Sequence, residues 1–122
     1  MPSKDPVQRF QDILENVSRI EVYTAGMNTE QFLEDLTYDA VERYLERISE
    51  AAKKLGDEAE VLCPGIAWPQ LRALGTFLRH EYDRIEGERI WIMVERDLPL
   101  LRAAVEAAVG RAGAGEGDQD PH

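Results

Sequence analysis

The sequence predicts an all-α fold, an antiparallel bundle of four to five helices. Three observations predict it. Apolar residues recur at three- and four-residue spacing along most of the chain. Helix starts and stops punctuate it: Asp5-Pro6, Gly26, Asn28-Thr29, Gly56 and Pro69. The one run that resembles a strand, residues 88–96, has no second strand to pair with, so it too reads as helix.

The first helix opens at Asp5 as cap, with Pro6 in the first turn, where its missing N–H leaves no bond unmade. Val7, Phe10, Ile13, Leu14, Val17, Ile20 and Val22 or Tyr23 follow at helical spacing, and Gly26 is a left-handed stop after Ala25. An Asn28 or Thr29 cap starts a second, long helix from about Thr29 to Leu55. Its apolar face runs Phe32, Leu33, Leu36, Ala40, Val41, Tyr44, Leu45, Ile48, Ala51, Ala52 and Leu55. Asp35, Asp39, Glu42, Glu46 and Glu50 form an acidic stripe on the other side, either a solvated face or a docking surface for a basic partner. After Gly56 the spacing predicts one short turn and then a Pro64-Gly65 turn.

The stretch Trp68–Ile85 organises the rest. Leu71, Leu74, Leu78, Tyr82 and Ile85 make its buried stripe, while Arg72, Thr76, Arg79, His80 and Asp83 fall on the polar side. Ala73, Phe77, His80 and Arg84 share a further side, which suits a two-fold dimer interface. A last helix restarts or kinks at Asp97-Leu98-Pro99 and buries Leu100, Leu101, Ala104, Val105, Ala108 and Val109. The helical domain thus covers residues 1–109, and the Gly-rich acidic segment 110–122 reads as a disordered tail.

Composition limits function. The chain has 122 residues and a net charge of −10, which disfavours generic binding to a polyanion. The acidity is uneven, however. Residues 28–62 carry ten acids and four bases, whereas residues 68–90 carry four of each, so a phosphate site remains open to the latter. One cysteine, Cys63, excludes an internal disulfide and fits a reducing cytoplasm. One Cys and two His, one of them the terminal His122, make a poor metal-ligand set. No metal or other cofactor is expected. No apolar run of eighteen residues exists to cross a membrane, and residues 1–10 lack the apolar core of a signal peptide.

Pattern alone stops at a helical bundle; the motifs go further. Ile48-Ser49-Glu50-Ala51 precedes Trp68-Pro69. Then come His80-Glu81-Tyr82, Ile90-Trp91, and Asp97-Leu98-Pro99-Leu100-Leu101. In this order and spacing they resemble the HepT-like family of the HEPN superfamily, over about residues 8–109. The resemblance implies a homodimeric helical bundle that acts as the toxin of a bacterial toxin–antitoxin pair. It implies metal-independent endoribonuclease chemistry at the dimer interface, opposed by a small nucleotidyltransferase antitoxin of the MntA kind. His80 then corresponds to the acid/base, Tyr82 to an AMP-accepting tyrosine, and Glu50 to the Glu of the family's Ile-Gly-Glu-Ala segment, with Ser49 in place of its Gly. These residue types suit RNA cleavage, because histidine titrates near neutral pH and arginine forks onto phosphate.

The family's Arg-Asn pair falls on Gly75-Thr76, so the expected guanidinium is absent. Arg72 and Arg79, on the same polar side as Thr76, are the candidates to replace it. A glycine within a helix also suggests that another backbone or side chain approaches closely there. Three functions stay open at this point: a ribonuclease toxin, a non-catalytic module binding nucleotide or RNA and its antitoxin, and a structural partner protein using the acidic stripe. His80 and Tyr82 lie about 200° apart on a regular helix, so they do not face one cleft together.

Overall fold

The computed structural model describes residues 5–34, 37–78 and 84–119. Every described element is helical. Helix α1 spans Pro6–Thr24, α2 Thr29–Glu34, α3 Thr37–Leu55, α4 Glu58–Leu62, α5 Trp68–Leu78, α6 Arg84–Ile92 and α7 Leu98–Gln119, with a π-helical turn over Met93–Asp97 between the last two. The all-α bundle expected from periodicity is therefore the fold.

The capping residues do what their chemistry dictates. Asp5 accepts from the Gln8 N–H at 3.1 Å, and Pro6 occupies the first turn. Asn28 and Gln31 form a reciprocal box: Gln31 N–H donates to Asn28 Oδ1 and Asn28 N–H donates to Gln31 Oε1, both at 2.9 Å. Gly26 and Gly56 take φ of +74° and +59°, the left-handed conformation that ends α1 and α3.

Three boundaries differ from the periodicity. The long second helix is described as two, α2 and α3, with Asp35 and Leu36 outside the described residues. The run 88–96 is helical as expected, but from Met93 to Asp97 it widens into a π-helical turn: the Leu98 N–H donates to the Met93 carbonyl, five residues back. The wider turn lies just before Pro99, which has no N–H to give. And α7 continues past Gly110, where composition places the start of the tail. Arg111 donates to the Leu62 carbonyl at 3.0 Å and ties this part of α7 to the end of α4.

Helix α3 is the centre of the bundle. It packs on α1 and α5, while α7 packs on α1. Both α3 pairings are antiparallel. Tyr23 stacks near Tyr44 while Arg9 and Lys54 line one groove, so α1 runs down as α3 runs up. Likewise Ser49 meets Gly75 and Gly56 meets Arg72 across α3 and α5. Ile13, Val17, Ile20, Val41, Leu45, Ile48, Leu55, Ile90 and Val105 are fully buried between these helices. Two aromatic clusters lock the ends. Trp68 is buried against Phe10 at a ring distance of 6.2 Å, and its indole N–H donates to the Cys63 carbonyl at 2.7 Å. Phe32 lies between Trp91 at 4.9 Å and Tyr38 at 5.7 Å, which seats the short α2. Arg102 of α7 donates to Ser18 Oγ at 2.8 Å and pairs with Glu21, joining α7 to α1. Among the described residues, no helix is long and apolar enough to cross a membrane.

Candidate functional site

The site expected from sequence lies on the polar side of α5 and the residues after it. Leu74 and Leu78 are buried and Leu71 is half-buried, so the apolar stripe sets the rotation of α5 as the spacing predicts. That rotation leaves Thr76 exposed. Arg79, His80 and Tyr82 lie outside the described residues. The described part of the site is therefore the α3–α5 crossing, built by Ser49, Glu50, Lys53, Arg72, Gly75 and Thr76.

Ser49 is the hinge of this crossing and is 1% exposed. Its hydroxyl donates to the Arg72 carbonyl at 3.1 Å and accepts the Gly75 N–H at 3.2 Å. A Cβ placed on Gly75 would stand 3.4 Å from Ser49 Oγ and 3.6 Å from Lys53 Nζ. The close approach expected at Gly75 is thus made by α3. Ser49 of α3 and Gly75 of α5 face each other across one crossing.

Arg72 is occupied rather than free. Its guanidinium forms a bidentate pair with Glu60, at 3.1 and 2.6 Å, and also donates to the Gly56 carbonyl at 3.2 Å. This ties α5 to α4 and to the end of α3. The hydrogen bond from Arg72 holds the Glu60 carboxyl below its ordinary pKa, and the same bond raises Arg72. For Arg72 to reach a phosphate it has to leave Glu60. Glu50 is exposed and meets Lys53 at 3.4 Å, so the stripe residue closest to the crossing carries its own counter-ion. Glu42, further along the stripe, is pushed up by burial first and by Glu46 and Asp39 after it.

Sequence reasoning missed Glu60, Lys53 and Asn16. Glu60 and Lys53 matter through contacts between helices, which spacing within one helix does not encode. Asn16 had a readable signal: a polar residue beside Val17 on the apolar side of the first helix. It is 7% exposed, its Nδ2 donates to the Asp12 carbonyl at 2.8 Å, and its buried Oδ1 meets no donor among the described residues.

Comparison with known proteins gives the remaining information. The family HepT-like, described as "Ribonuclease HepT-like", matches residues 13–108. A protein of Methanocaldococcus jannaschii named "Putative RNase MJ0127" is 38% identical over 100 residues, covering 81% of this chain and 83% of that one. A protein of Thermococcus cleftensis named "Probable ribonuclease HepT" is 34% identical over 98 residues, covering 80% and 89% respectively. No solved structure matches significantly. With a match that runs from the middle of α1 almost to the end of the α7 core, this chain belongs to the HepT-like family.

Proposed function

We propose that the chain is the ribonuclease of a toxin–antitoxin pair, a metal-independent endoribonuclease whose site forms where two protomers meet. One observation carries this reading: family membership across nearly the whole helical domain, with relatives that bear ribonuclease names. In the proposed reaction His80 takes the proton of a ribose 2′-OH. The 2′-oxygen attacks the adjacent phosphorus, and the bond to the 5′-oxygen breaks as that oxygen accepts a proton. Arg79, with Arg72 once it has left Glu60, stabilises the charge on the phosphoryl oxygens. Thr76 and Glu50 flank the site from α5 and α3. A small nucleotidyltransferase antitoxin silences the protein by transferring AMP to Tyr82, whose new phosphate draws Arg79 away from substrate.

The test is cleavage of total RNA by the purified protein. Activity should persist in EDTA, vanish in His80→Ala, and fall by about 10²–10³ in Arg79→Ala, the usual loss for one charge-stabilising donor. Full activity in His80→Ala refutes the mechanism. Co-expression with a nucleotidyltransferase encoded beside this chain should add the mass of AMP to the peptide holding Tyr82, and Tyr82→Phe should abolish it. Light scattering at micromolar concentration should give a dimer.

A second reading is a non-catalytic module that binds nucleotide or RNA and its antitoxin. The engagement of Arg72 by Glu60 favours it, since with Gly75 in the family's arginine position that leaves Arg79 to act alone. Binding of RNA without fragments, under conditions in which the protein is folded and dimeric, would establish this alternative.

A further inference from the structure

The last helix carries two stripes. The inner one, Leu98, Leu101, Val105 and Ala108, is buried on the bundle. The outer one starts at Asp97, the last residue of the π-helical turn, and continues through Leu100, Ala104, Ala107 and Arg111 of α7. Its steps alternate between three and four residues, the spacing of a seam along which one helix meets another. This outer stripe lines two cavities in succession, of about 250 and 320 Å³, between α7 and the segment 61–74. Asp97 and Leu100 stand on the first, and Ala104, Ala107 and Arg111 on the second, opposite Val61 and Leu62. Leu100 is 66% exposed, Val61 78% and Leu62 41%, so half of the large exposed apolar side chains among the described residues gather on this one groove.

We propose that a second copy of this chain covers the groove, with two α7 helices packed antiparallel about a two-fold axis at Ala104. The stripe is complementary to itself about that axis. Asp97 and Arg111 each lie seven residues from Ala104, so the carboxylate of one copy meets the guanidinium of the other at both ends. Leu100 falls beside Ala107 of the second copy, where the cavity edged by Val61 and Leu62 is open to receive it. Ala104 and Ala107 in the middle are small enough for the helices to approach to about 8 Å. Arg111 keeps donors for this role, because its contact with the Leu62 carbonyl uses Nη2 and a guanidinium has five N–H groups. A second copy fits better than a foreign helix, since one sequence supplies both members of each charge pair. The seam is also neutral, whereas the chain carries a net charge of −10. This contact is separate from the two-fold face expected on α5 and does not rest on the ribonuclease reading. Its stripe is short and two of its positions are alanine, so it belongs with small, transient interfaces. Copies present singly or as dimers at micromolar concentration then associate in pairs as concentration rises.

Sedimentation velocity from micromolar to millimolar concentration reads this directly. The mass should double over that range. Leu100→Glu should hold the micromolar mass throughout while the melting temperature stays the same, because the side chain it replaces is already mostly in water. Asp97→Arg alone and Arg111→Asp alone should each weaken association about tenfold, since each sets like charges opposite one another at both ends. The two together should restore it. The double variant still lacks the bond to the Leu62 carbonyl, so the rescue reports contact between copies and not stability within one. In Ala104→Cys, mild oxidation should join two copies through the new thiol, because Cys63 is buried. Several results overturn the proposal. They are a mass independent of concentration, an increase that survives Leu100→Glu, a double charge variant no better than the single ones, and no disulfide in Ala104→Cys. A constant mass would leave the groove to a different protein. The mass at micromolar concentration tests the α5 dimer separately, so failure of one contact is distinguished from failure of the other.

Discussion

The Ser49–Gly75 contact can be tested by substitution at both of its positions. Gly75→Ala comes first. Its new methyl would meet Ser49 Oγ at 3.4 Å and Lys53 Nζ at 3.6 Å, ordinary van der Waals distances, so no atom has to move. Glycine in a helix interior costs about 1 kcal/mol relative to alanine. The variant should therefore be more stable by about 1 kcal/mol, which for a domain of this size raises the melting temperature by about 4 °C. Gly75→Arg is different, because the side chain beyond Cβ has to pass Ser49 and Lys53. Overpacking of this kind costs about 1–3 kcal/mol. Ser49→Gly alone should cost about 2 kcal/mol, from two lost hydrogen bonds at about 1 kcal/mol each. In the double variant the glycine at 49 makes room for the arginine at 75, so the two changes should be less harmful together than their sum. A favourable coupling of about 0.5–3 kcal/mol is expected for residues in direct contact. Urea denaturation of the four proteins in the cycle measures it. Additivity within about 0.5 kcal/mol, or a Gly75→Ala variant less stable than the parent, would refute the argument that Ser49 and Gly75 form one packing unit. If the double variant also cleaves RNA faster than the parent, the natural chain is a weakened enzyme.

Three further outcomes follow from the structure. Glu60 has its pKa lowered by Arg72, so its pair stabilises the fold above the ordinary glutamate pKa of about 4.3 and the contribution is lost as pH falls through the lowered folded value. The gap in melting temperature between the parent and Glu60→Gln should close as pH falls below the ordinary glutamate range. Glu42 has the opposite sign: its raised pKa makes ionisation unfavourable to folding, so stability drops as pH rises through the window between the unfolded and the raised folded value. Glu42→Gln should accordingly melt higher than the parent at pH 7 and equal to it at pH 4, by calorimetry. Trp68→Phe keeps a ring beside Phe10 but removes the buried N–H bond to the Cys63 carbonyl. It should lose about 1–3 kcal/mol in urea denaturation.

The sequence by itself determined the fold class, the caps and the rotation of most of the helical stripes. Leu100, however, expected to be buried in the last helix, is exposed, as are Val22 and Tyr23 at the end of the first stripe, where no neighbouring helix fully covers them. Asp5-Pro6, Asn28, Gly26 and Gly56 act through bonds and backbone angles within a few residues, so their chemistry is local and readable. The stripe of Leu74 and Leu78 is likewise set by period, and the order of several motifs along one line was enough to place the chain in its family. Tertiary structure decided what those residues touch. Arg72 reads in sequence as a free guanidinium on a polar face, yet it is clamped by Glu60, twelve residues earlier on a different helix. Ser49 reads as a minor exchange, yet its hydroxyl holds the α3–α5 crossing at Gly75, 26 residues away. Asn16 reads as a polar intruder on an apolar stripe, yet its Nδ2 is satisfied by the Asp12 carbonyl one turn back. The physical reason is the same in each case: periodicity fixes which way a side chain faces, while its partner depends on which helices pack together and at what register along their axes.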